Sequence, residues 1–159
     1  MQVYSTRYQS PIGEYILASD GKNLIGVWQE EQKYYMQGMP KDIIENDNMQ
    51  IFDAAKHWLN RYFAKQKPAI SELALAPQGS EFRQKVWNIL CKIPYGETVT
   101  YGYIGSRIGC TSGQAVGGAV GHNPISIIIP CHRVVGSNGS LTGYAGGLET
   151  KRKLLNLER

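Results

Sequence analysis

The most informative part of the chain is the stretch Ile127-Ile128-Ile129-Pro130-Cys131-His132-Arg133-Val134-Val135, in which polar and reactive side chains interrupt an apolar run. The apolar residues predict a strand that enters this segment and resumes at Val134. Pro130 has no backbone N–H to donate to a sheet, so it predicts a strand end or a bulge. A buried strand seldom contains a His-Arg pair, and we therefore interpret the segment as a candidate site and not only as core.

Cys131 and His132 are adjacent, and together they favour a reactive thiolate. Each alone has a simpler interpretation, because a free cysteine is often a small buried side chain and a histidine is often a hydrogen-bonded structural residue. A thiol with a pKa of about 8.5 is mostly protonated at neutral pH. A neighbouring imidazole, or a cation such as Arg133, favours the nucleophilic thiolate. The pair therefore predicts nucleophilic chemistry.

A histidine that acts as a base usually needs a carboxylate to orient its ring. The chain has no acidic residue between Glu97 and Glu149, so the 51 positions around the candidate site offer none. Glu149 and Glu158 flank a predicted C-terminal helix over 148–157, and either could reach back to the histidine.

Two other site chemistries fit this sequence less well. The three cysteines and three histidines form no C-x-x-C or H-x-x-x-H pair, and the adjacent Cys131 and His132 are poorly spaced for one tetrahedral metal site. A papain-like protease would need a histidine downstream of His132, and there is none. We expect neither a metal nor a cofactor.

The composition is that of a globular protein rather than a disordered or fibrous one. The chain has 159 residues, of which 42% are apolar and 19% are charged. No apolar run approaches the ~18 residues that span a bilayer, and the N-terminus lacks the features of a signal peptide. Three cysteines cannot all pair with one another, which disfavours a secreted disulfide scaffold and predicts a cytoplasmic protein.

The net charge of +4 is unevenly distributed. Residues 1–79 carry 8 Lys and Arg against 9 Asp and Glu, a balance of −1, whereas residues 80–159 carry 9 against 4, a balance of +5. The acid-free stretch 98–148 fits a basic surface that keeps the protein soluble, and it equally fits a face that meets a polyanion such as DNA.

Residues 1–76 predict a small α/β domain. Strand-like runs at 4–8 and 14–19 flank turn residues at 10–13, and another strand follows at 24–29. An amphipathic helix comes next, and its apolar residues recur at helical spacing: Ile51, Ala54, Ala55, Trp58, Leu59, Tyr62 and Phe63. A linker over 69–79 then separates this domain from a second one over residues 77–159.

The second domain begins with a helix that Ser80 can cap. The turn residues at 93–96 end this helix, and Thr98 or Thr100 can cap the next one.

A glycine-containing turn at 109–113 leads to a third, very small helix over 114–120, and the pair of helices predicts a helix-turn-helix. Each glycine in a helix costs ~1 kcal/mol relative to alanine. Something must therefore approach this backbone closely, either a neighbouring helix or a sugar-phosphate backbone.

The segment Asn123–Val135 resembles the active-site segment of the methylated-DNA–protein-cysteine methyltransferases, the O6-alkylguanine-DNA alkyltransferases. Further segments match in family order, at residues 82–87, 95–101, 115–119 and 143–148. The resemblance implies an α+β fold, with a ribonuclease H-like N-terminal α/β domain and a C-terminal helical winged helix-turn-helix domain that binds DNA and holds the active site.

The resemblance also implies a suicide repair reaction. The protein would bind double-stranded DNA as a monomer, rotate an O6-alkylguanine (or an O4-alkylthymine) out of the stack, and take the alkyl group irreversibly onto Cys131. No membrane partner is implied.

Residue by residue, Cys131 matches the alkyl acceptor, His132 the base that deprotonates it through a water, and Glu158 the carboxylate that orients the histidine. Asn123 matches the residue that braces the active-site loop, and Tyr101 the tyrosine that assists proton transfer to guanine. The positions that the resemblance places against the DNA or the flipped base are Gln114, Ala115, Gly118, Arg133, Val134, Val135, Tyr144 and Ala145.

The sequence departs from the family pattern at two places. Gln114 stands where many members have an arginine that fills the gap left by the flipped base, so we expect a weaker salt dependence of DNA binding. The turn over 109–113 is about one residue shorter than in arginine-bearing relatives. Ser126 and Ala145 occupy pocket-wall positions that vary in the family.

Two non-catalytic interpretations remain as alternatives. Alkyltransferase-like proteins bind lesions without repairing them, and in those the acceptor cysteine is replaced, whereas Cys131 is present here. A winged-helix transcription factor would carry base-reading side chains on its second helix, and Gly117, Gly118 and Ala119 are poor readers.

Overall fold

A four-stranded sheet forms the centre of the first unit of the computed structural model, which describes residues 1–159. The strand order is β3-β2-β1-β4, with β1 antiparallel to β2 and parallel to β4. The strands are β1 (Val3–Ser10), β2 (Gly13–Ser19), β3 (Leu24–Trp28) and β4 (Ile43–Glu45). The predicted hairpin and third strand are therefore confirmed. The short, mostly exposed β4 has no alternating pattern and was not predicted.

Helix α1 (Gln50–Phe63) packs an apolar face on this sheet, as predicted, although Ala54 of the predicted face is exposed and the buried Phe52 was not predicted. Its buried side chains are Phe52, Ala55, Trp58, Leu59 and Tyr62. The indole Nε1 of Trp58 donates to the Ala69 carbonyl at 2.8 Å, which fixes the chain beyond the helix.

The first unit comprises Met1–Gln78 together with Pro124–Ile128. The second segment lies along β3, because Val27 N–H donates to the Pro124 carbonyl at 2.8 Å and Ser126 N–H donates to the Val27 carbonyl at 3.1 Å. The segment that precedes the candidate site thus belongs to the first unit, although the residues on either side of it do not.

The second unit comprises Gly79–Asn123 and Ile129–Arg159 and is mainly helical. Its helices are α2 (Glu81–Leu90), α3 (Tyr101–Ile108), α4 (Gly113–Gly121) and α5 (Leu148–Leu157). A short parallel ladder joins β5 (Val99–Thr100) to β6 (Val134–Val135). The predicted fold class, a sheet domain followed by a helical domain, is confirmed, and no helix is long and apolar enough to cross a membrane. The division at residues 76 and 77 stays a prediction.

Hydroxyl side chains cap three of these helices. Ser80 Oγ accepts from Arg83 N–H at 3.2 Å, Thr100 Oγ from Tyr103 N–H at 3.1 Å, and Ser112 Oγ from Ala115 N–H at 3.1 Å. Of the two threonines that the sequence offered for α3, the cap is therefore Thr100.

The predicted strand over 127–129 is wrong. Ile127 has a φ of 70°, in the left-handed region that a β-branched side chain rarely enters. Ile128 N–H donates to the Ser126 carbonyl and Cys131 N–H to the Ile129 carbonyl, both at 2.8 Å, so the backbone runs through tight turns. The apolar run reflects burial on all sides and not a place in a sheet, since each of the three isoleucines is 1% exposed.

Candidate active site

Cys131 begins a single turn of 3-10 helix, Cys131–Arg133, and is 5% exposed. Burial raises the pKa of its thiol, while hydrogen bonds from Asn123 and Tyr144 and the charge of Lys151 act in the opposite sense. The resting thiol is therefore protonated at neutral pH, and a nearby base must remove its proton before it can act as a nucleophile.

His132 and Glu158 meet inside the second unit, with 2.6 Å between His132 Nε2 and Glu158 Oε2. Glu158 directly follows α5 and is buried, as is His132. The other carboxylate that the sequence offered, Glu149, lies on the surface and pairs with Arg152 at 2.7 Å. The structure thus brings Glu158, and not Glu149, to the histidine.

The protonation states of this pair follow from their surroundings. Burial alone would raise the pKa of Glu158, but His132 and Arg133 outweigh it and lower that pKa from 4.5 to about 2. Burial lowers the pKa of His132, although Glu158 acts in the opposite sense. At neutral pH a neutral imidazole therefore faces an ionised carboxylate. Because a carboxylate only accepts, Nε2 carries the ring proton and Nδ1 has the lone pair that can take another.

Arg133 is not at the surface, where a DNA contact would need it. Its side chain is 7% exposed and its guanidinium is engaged on both edges. Nε lies 2.8 Å from Glu158 Oε1, Nη2 lies 3.1 Å from Glu158 Oε2, and Nη1 donates to the Ile93 carbonyl at 2.7 Å. The expectation that Arg133 touches DNA or the base is therefore corrected: it binds the carboxylate behind the histidine.

Asn123 holds the two ends of the loop before the cysteine. Its Nδ2 donates to the Ile129 carbonyl at 2.8 Å, and its side chain also hydrogen-bonds Cys131. Asn123 is 3% exposed. One amide thus fixes the backbone that positions the thiol.

Lys151 is a site residue that the sequence did not reveal. It is 0% exposed, and its Nζ donates to the carbonyls of Thr142 and Gly143 at 2.9 and 3.3 Å. The Thr142 carbonyl also accepts from the Tyr101 hydroxyl at 3.1 Å. Lys151 lies three residues before the buried Leu154 on α5, and its place on that apolar face was the available signal.

The remaining predicted pocket residues lie in β6 and in the loop that precedes α5. Val134 and Val135 are buried in β6, where they pair with Val99 and Thr100. Tyr144 and Ala145 are half-buried in the loop that precedes α5.

Helix α4 has an exposed face and a packed face. Val116, Ala119 and Val120 are buried on the packed side, where Trp87 Nε1 donates to the Ala119 carbonyl at 2.8 Å. The predicted DNA-facing residues Gln114, Ala115 and Gly118 are all exposed. A Cβ added at Gly118 would have no atom of the protein within 4 Å. No neighbouring helix therefore requires glycine at this position.

No cluster of three or more His, Cys, Asp or Glu side chains is arranged to hold a metal ion. The arrangement suits nucleophilic substitution, because the second unit brings together a thiol, a neutral histidine that a carboxylate orients, and a tyrosine hydroxyl.

Two family models match consecutive parts of the chain. Residues 3–77 match the ribonuclease-like domain of 6-O-methylguanine DNA methyltransferase, and residues 81–159 match the DNA binding domain of the same protein. Together the two models span nearly the whole chain.

Individual relatives agree with these models. The chain is 42% identical over 158 residues to a methylated-DNA–protein-cysteine methyltransferase of Haemophilus influenzae, and the match covers 99% of this chain and 87% of that protein. It is 45% identical over 157 residues to the one of Methanosarcina acetivorans, with 98% of both chains covered. A crystal structure of Mycobacterium tuberculosis OGT in complex with DNA superposes with a TM-score of 0.86 at 41% identity, covering 99% of this chain and 92% of that one. The chain belongs to the 6-O-methylguanine DNA methyltransferase family.

Proposed function

We propose that this protein repairs alkylated DNA directly, by moving an alkyl group from O6 of guanine onto the sulfur of Cys131. The observation that carries the proposal is the buried Cys131 thiol followed by a neutral His132 that Glu158 orients at 2.6 Å. The matching family models and the relatives named above support the same activity.

The reaction is a substitution at carbon in which each group has one task. His132 Nδ1 takes the thiol proton, through a water, and the sulfur of Cys131 attacks the alkyl carbon in line with the departing oxygen. The S–C bond forms as the C–O bond breaks, and guanine leaves with the bonding electrons. The hydroxyl of Tyr101 supplies a proton to the leaving guanine. The product is a stable thioether, so each molecule reacts once.

The alkylated base must leave the duplex to reach a buried thiol. Flipping costs a few kcal/mol of stacking and pairing, which pocket contacts offset. Tyr144, Ala145 and the backbone of Val134 and Val135 would line that pocket. Gln114 would fill the gap in the stack and can hydrogen-bond the base left without a partner.

The exposed face of α4 would lie in the minor groove. Ala115 and Gly118 present little side chain, and the open space at Gly118 lets a sugar-phosphate backbone approach closely. Residues 98–148 contain no acidic side chain to repel phosphates. Because small residues read few base edges, binding would depend little on sequence, as lesion repair requires.

We further propose that the protein acts as a monomer in the cytoplasm, without a metal or cofactor. The chemistry uses a reduced thiol, and a reducing compartment preserves it. All three cysteines, Cys91, Cys110 and Cys131, are free of disulfides.

The decisive experiment is intact-protein mass spectrometry after incubation with a duplex containing O6-methylguanine. We expect the protein to gain one methyl group, and we expect Cys131→Ser to gain none because it lacks the acceptor. Cys110→Ser serves as the matched control and should still gain the group. No mass change in a folded wild-type preparation, or methylation that survives in Cys131→Ser, would overturn the proposal.

A further inference from the structure

The Glu158 carboxylate is surrounded by three residues from two parts of the second unit, the turn that contains His132 and Arg133 and the turn that contains Gly96. Oε1 accepts from Arg133 Nε at 2.8 Å and from the Gly96 amide at 3.1 Å. Oε2 accepts from Arg133 Nη2 at 3.1 Å and faces His132 Nε2 at 2.6 Å. Both oxygens thus bind the arginine fork and each has a second partner, which leaves the carboxylate no freedom to rotate.

The turn before β5 supports this arrangement from behind. The Ile93 carbonyl accepts from Arg133 Nη1 at 2.7 Å, and the ring of Tyr95 lies 5.7 Å from the guanidinium carbon. Gly96 has a φ of 82°, and a Cβ at this position would approach the Glu158 carbonyl to 3.0 Å. Glycine is therefore required where the backbone comes this close to the carboxylate residue.

We propose that Arg133 is a positioning residue for the alkyl-transfer reaction: its guanidinium, together with the Gly96 amide, fixes Glu158 as the acceptor of the Nε2 proton of His132, so that Nδ1 is the nitrogen that takes the proton of Cys131. This inference rests on the proposed function and gives Arg133 a task in it.

The charge of Arg133 matters as much as its geometry. The neutral histidine, the carboxylate and the guanidinium together carry no net charge, which suits a buried cluster. Without the guanidinium, the unshared negative charge of Glu158 would stabilise the imidazolium. A histidine that is already protonated cannot accept the proton of the thiol.

Other charged groups act on this ring from the neighbouring elements. Lys151 on α5 acts in the same direction as Arg133 and disfavours the imidazolium, whereas Glu158 at the end of that helix favours it. Tyr95 lies in the turn before β5. Burial raises the pKa of its hydroxyl, the charge of Glu158 adds to this rise, and the charge of Arg133 opposes it. Arg133 is the member of this set that binds both carboxylate oxygens.

The experiment follows the ring nitrogens of His132 by 15N NMR across pH, in the protein without DNA. In the wild type we expect a neutral ring with the proton on Nε2 at pH 6. In Arg133→Gln we expect the titration midpoint to rise by about one pH unit, which lowers the fraction of neutral imidazole about tenfold well below the midpoint. Arg133→Lys keeps the positive charge but loses the two-pronged hydrogen bonding to the carboxylate. We expect its His132 titration midpoint to lie between those of the wild type and Arg133→Gln.

The matched control is Arg152→Gln, because Arg152 forms an exposed pair with Glu149 on the same unit. A second readout is the pH dependence of Cys131 labelling by iodoacetamide, measured by peptide mass spectrometry with Cys110 as the internal reference. We expect the acidic limb of the plot of Cys131 labelling rate against pH to move to higher pH in Arg133→Gln. In Arg152→Gln we expect this limb to stay at the pH of the wild type.

The proposal is overturned if Arg133→Gln and Arg152→Gln give the same His132 midpoint. It is equally overturned if wild-type His132 is charged at pH 7 or carries its proton on Nδ1, an outcome that does not depend on any variant folding. Neither readout uses DNA, so the protonation of His132 is tested separately from methyl transfer, and a failure of methyl transfer with the expected His132 titration would contradict the proposed function alone.

Discussion

Gln114 is an exposed, uncharged side chain at the start of α4, on the face that we assign to DNA. An amide can hydrogen-bond an unpaired base but releases no counterion from the duplex, since only a charge neutralises a phosphate. Gln114 can therefore bind the base left without a partner while adding nothing to the electrostatic affinity for the duplex.

We predict that Gln114→Arg makes DNA binding more sensitive to salt. Each additional neutralised phosphate steepens the slope of log affinity against log salt by about 0.9 for duplex DNA. Affinity measured across a salt series tests this, with Gln66→Arg, an exposed residue of the first unit, as a control of equal charge. An identical slope for wild type and Gln114→Arg would contradict the assignment of this face.

Single residues are also where the sequence was least informative. The adjacency of Cys131 and His132 marked the site, but Arg133 was assigned to the DNA or the base and Lys151 was given no role. Their burial depends on which carbonyls and carboxylates the fold places around them, namely those of Thr142 and Glu158. Such long-range partners leave no periodic trace in the sequence.

Among the helices, α4 has a composition that lowers its own stability, because it is rich in glycine. Glycine occupies four of its nine positions, and a Cβ added at Gly113 or Gly118 would enter open space. Nothing inside the protein therefore demands glycine at either of these two places. The proposed contact with a DNA backbone would account for the cost in helix propensity.

We predict that Gly118→Ala stabilises the free protein by up to ~1 kcal/mol, because alanine is the better helix former. The same change should weaken duplex binding about tenfold, equivalent to ~1.4 kcal/mol, because the methyl group meets the DNA backbone. Thermal unfolding and binding titrations measure the two effects. Gly121→Ala, where a Cβ is also unobstructed, is the control, and equal affinities for the two variants would refute the explanation.

The helices and the N-terminal hairpin could be predicted because their signals are local. Ser80 and Thr100 cap helices where hydroxyl residues precede apolar periodicity, and turn residues separate β1 from β2. The prediction of a strand over 127–129 was wrong because an apolar run indicates burial. Burial alone does not distinguish a strand from a series of tight turns. The two-residue strand β5 is too short to leave a pattern, whereas β6 lies where the apolar residues predicted the strand to resume, at Val134.

For the whole molecule, the buried His132–Glu158 pair links folding to pH. The folded protein keeps His132 neutral, whereas the unfolded chain binds a proton there as the pH falls below about 6.5. Glu158 has a folded pKa of about 2, below its usual 4.5, so its contribution is present above pH 4.5 and is lost as the pH falls toward 2. Both groups therefore favour the folded state less as acid is added.

We predict that the melting temperature falls steadily from pH 7 to pH 3, first through His132 and then through Glu158. The Glu158 part is lost as the pH falls from 4.5 toward its folded pKa of about 2. Thermal unfolding followed by circular dichroism in a pH series measures the loss. Glu158→Gln should start less stable and show a flatter dependence below pH 4.5; a slope equal to that of wild type would contradict the linkage.

The path of the backbone around the nucleophile has a consequence for modularity. The chain leaves the second unit after Asn123, runs along β3 as residues 124–128, and re-enters two positions before Cys131. A break in the linker would therefore not yield two self-sufficient modules, because a fragment beginning at residue 80 carries Pro124–Ile128 without the strand that accepts and donates its hydrogen bonds. Recombination at that linker, in a designed fusion for example, would remove the hydrogen-bond partners of the segment that directly precedes the nucleophile.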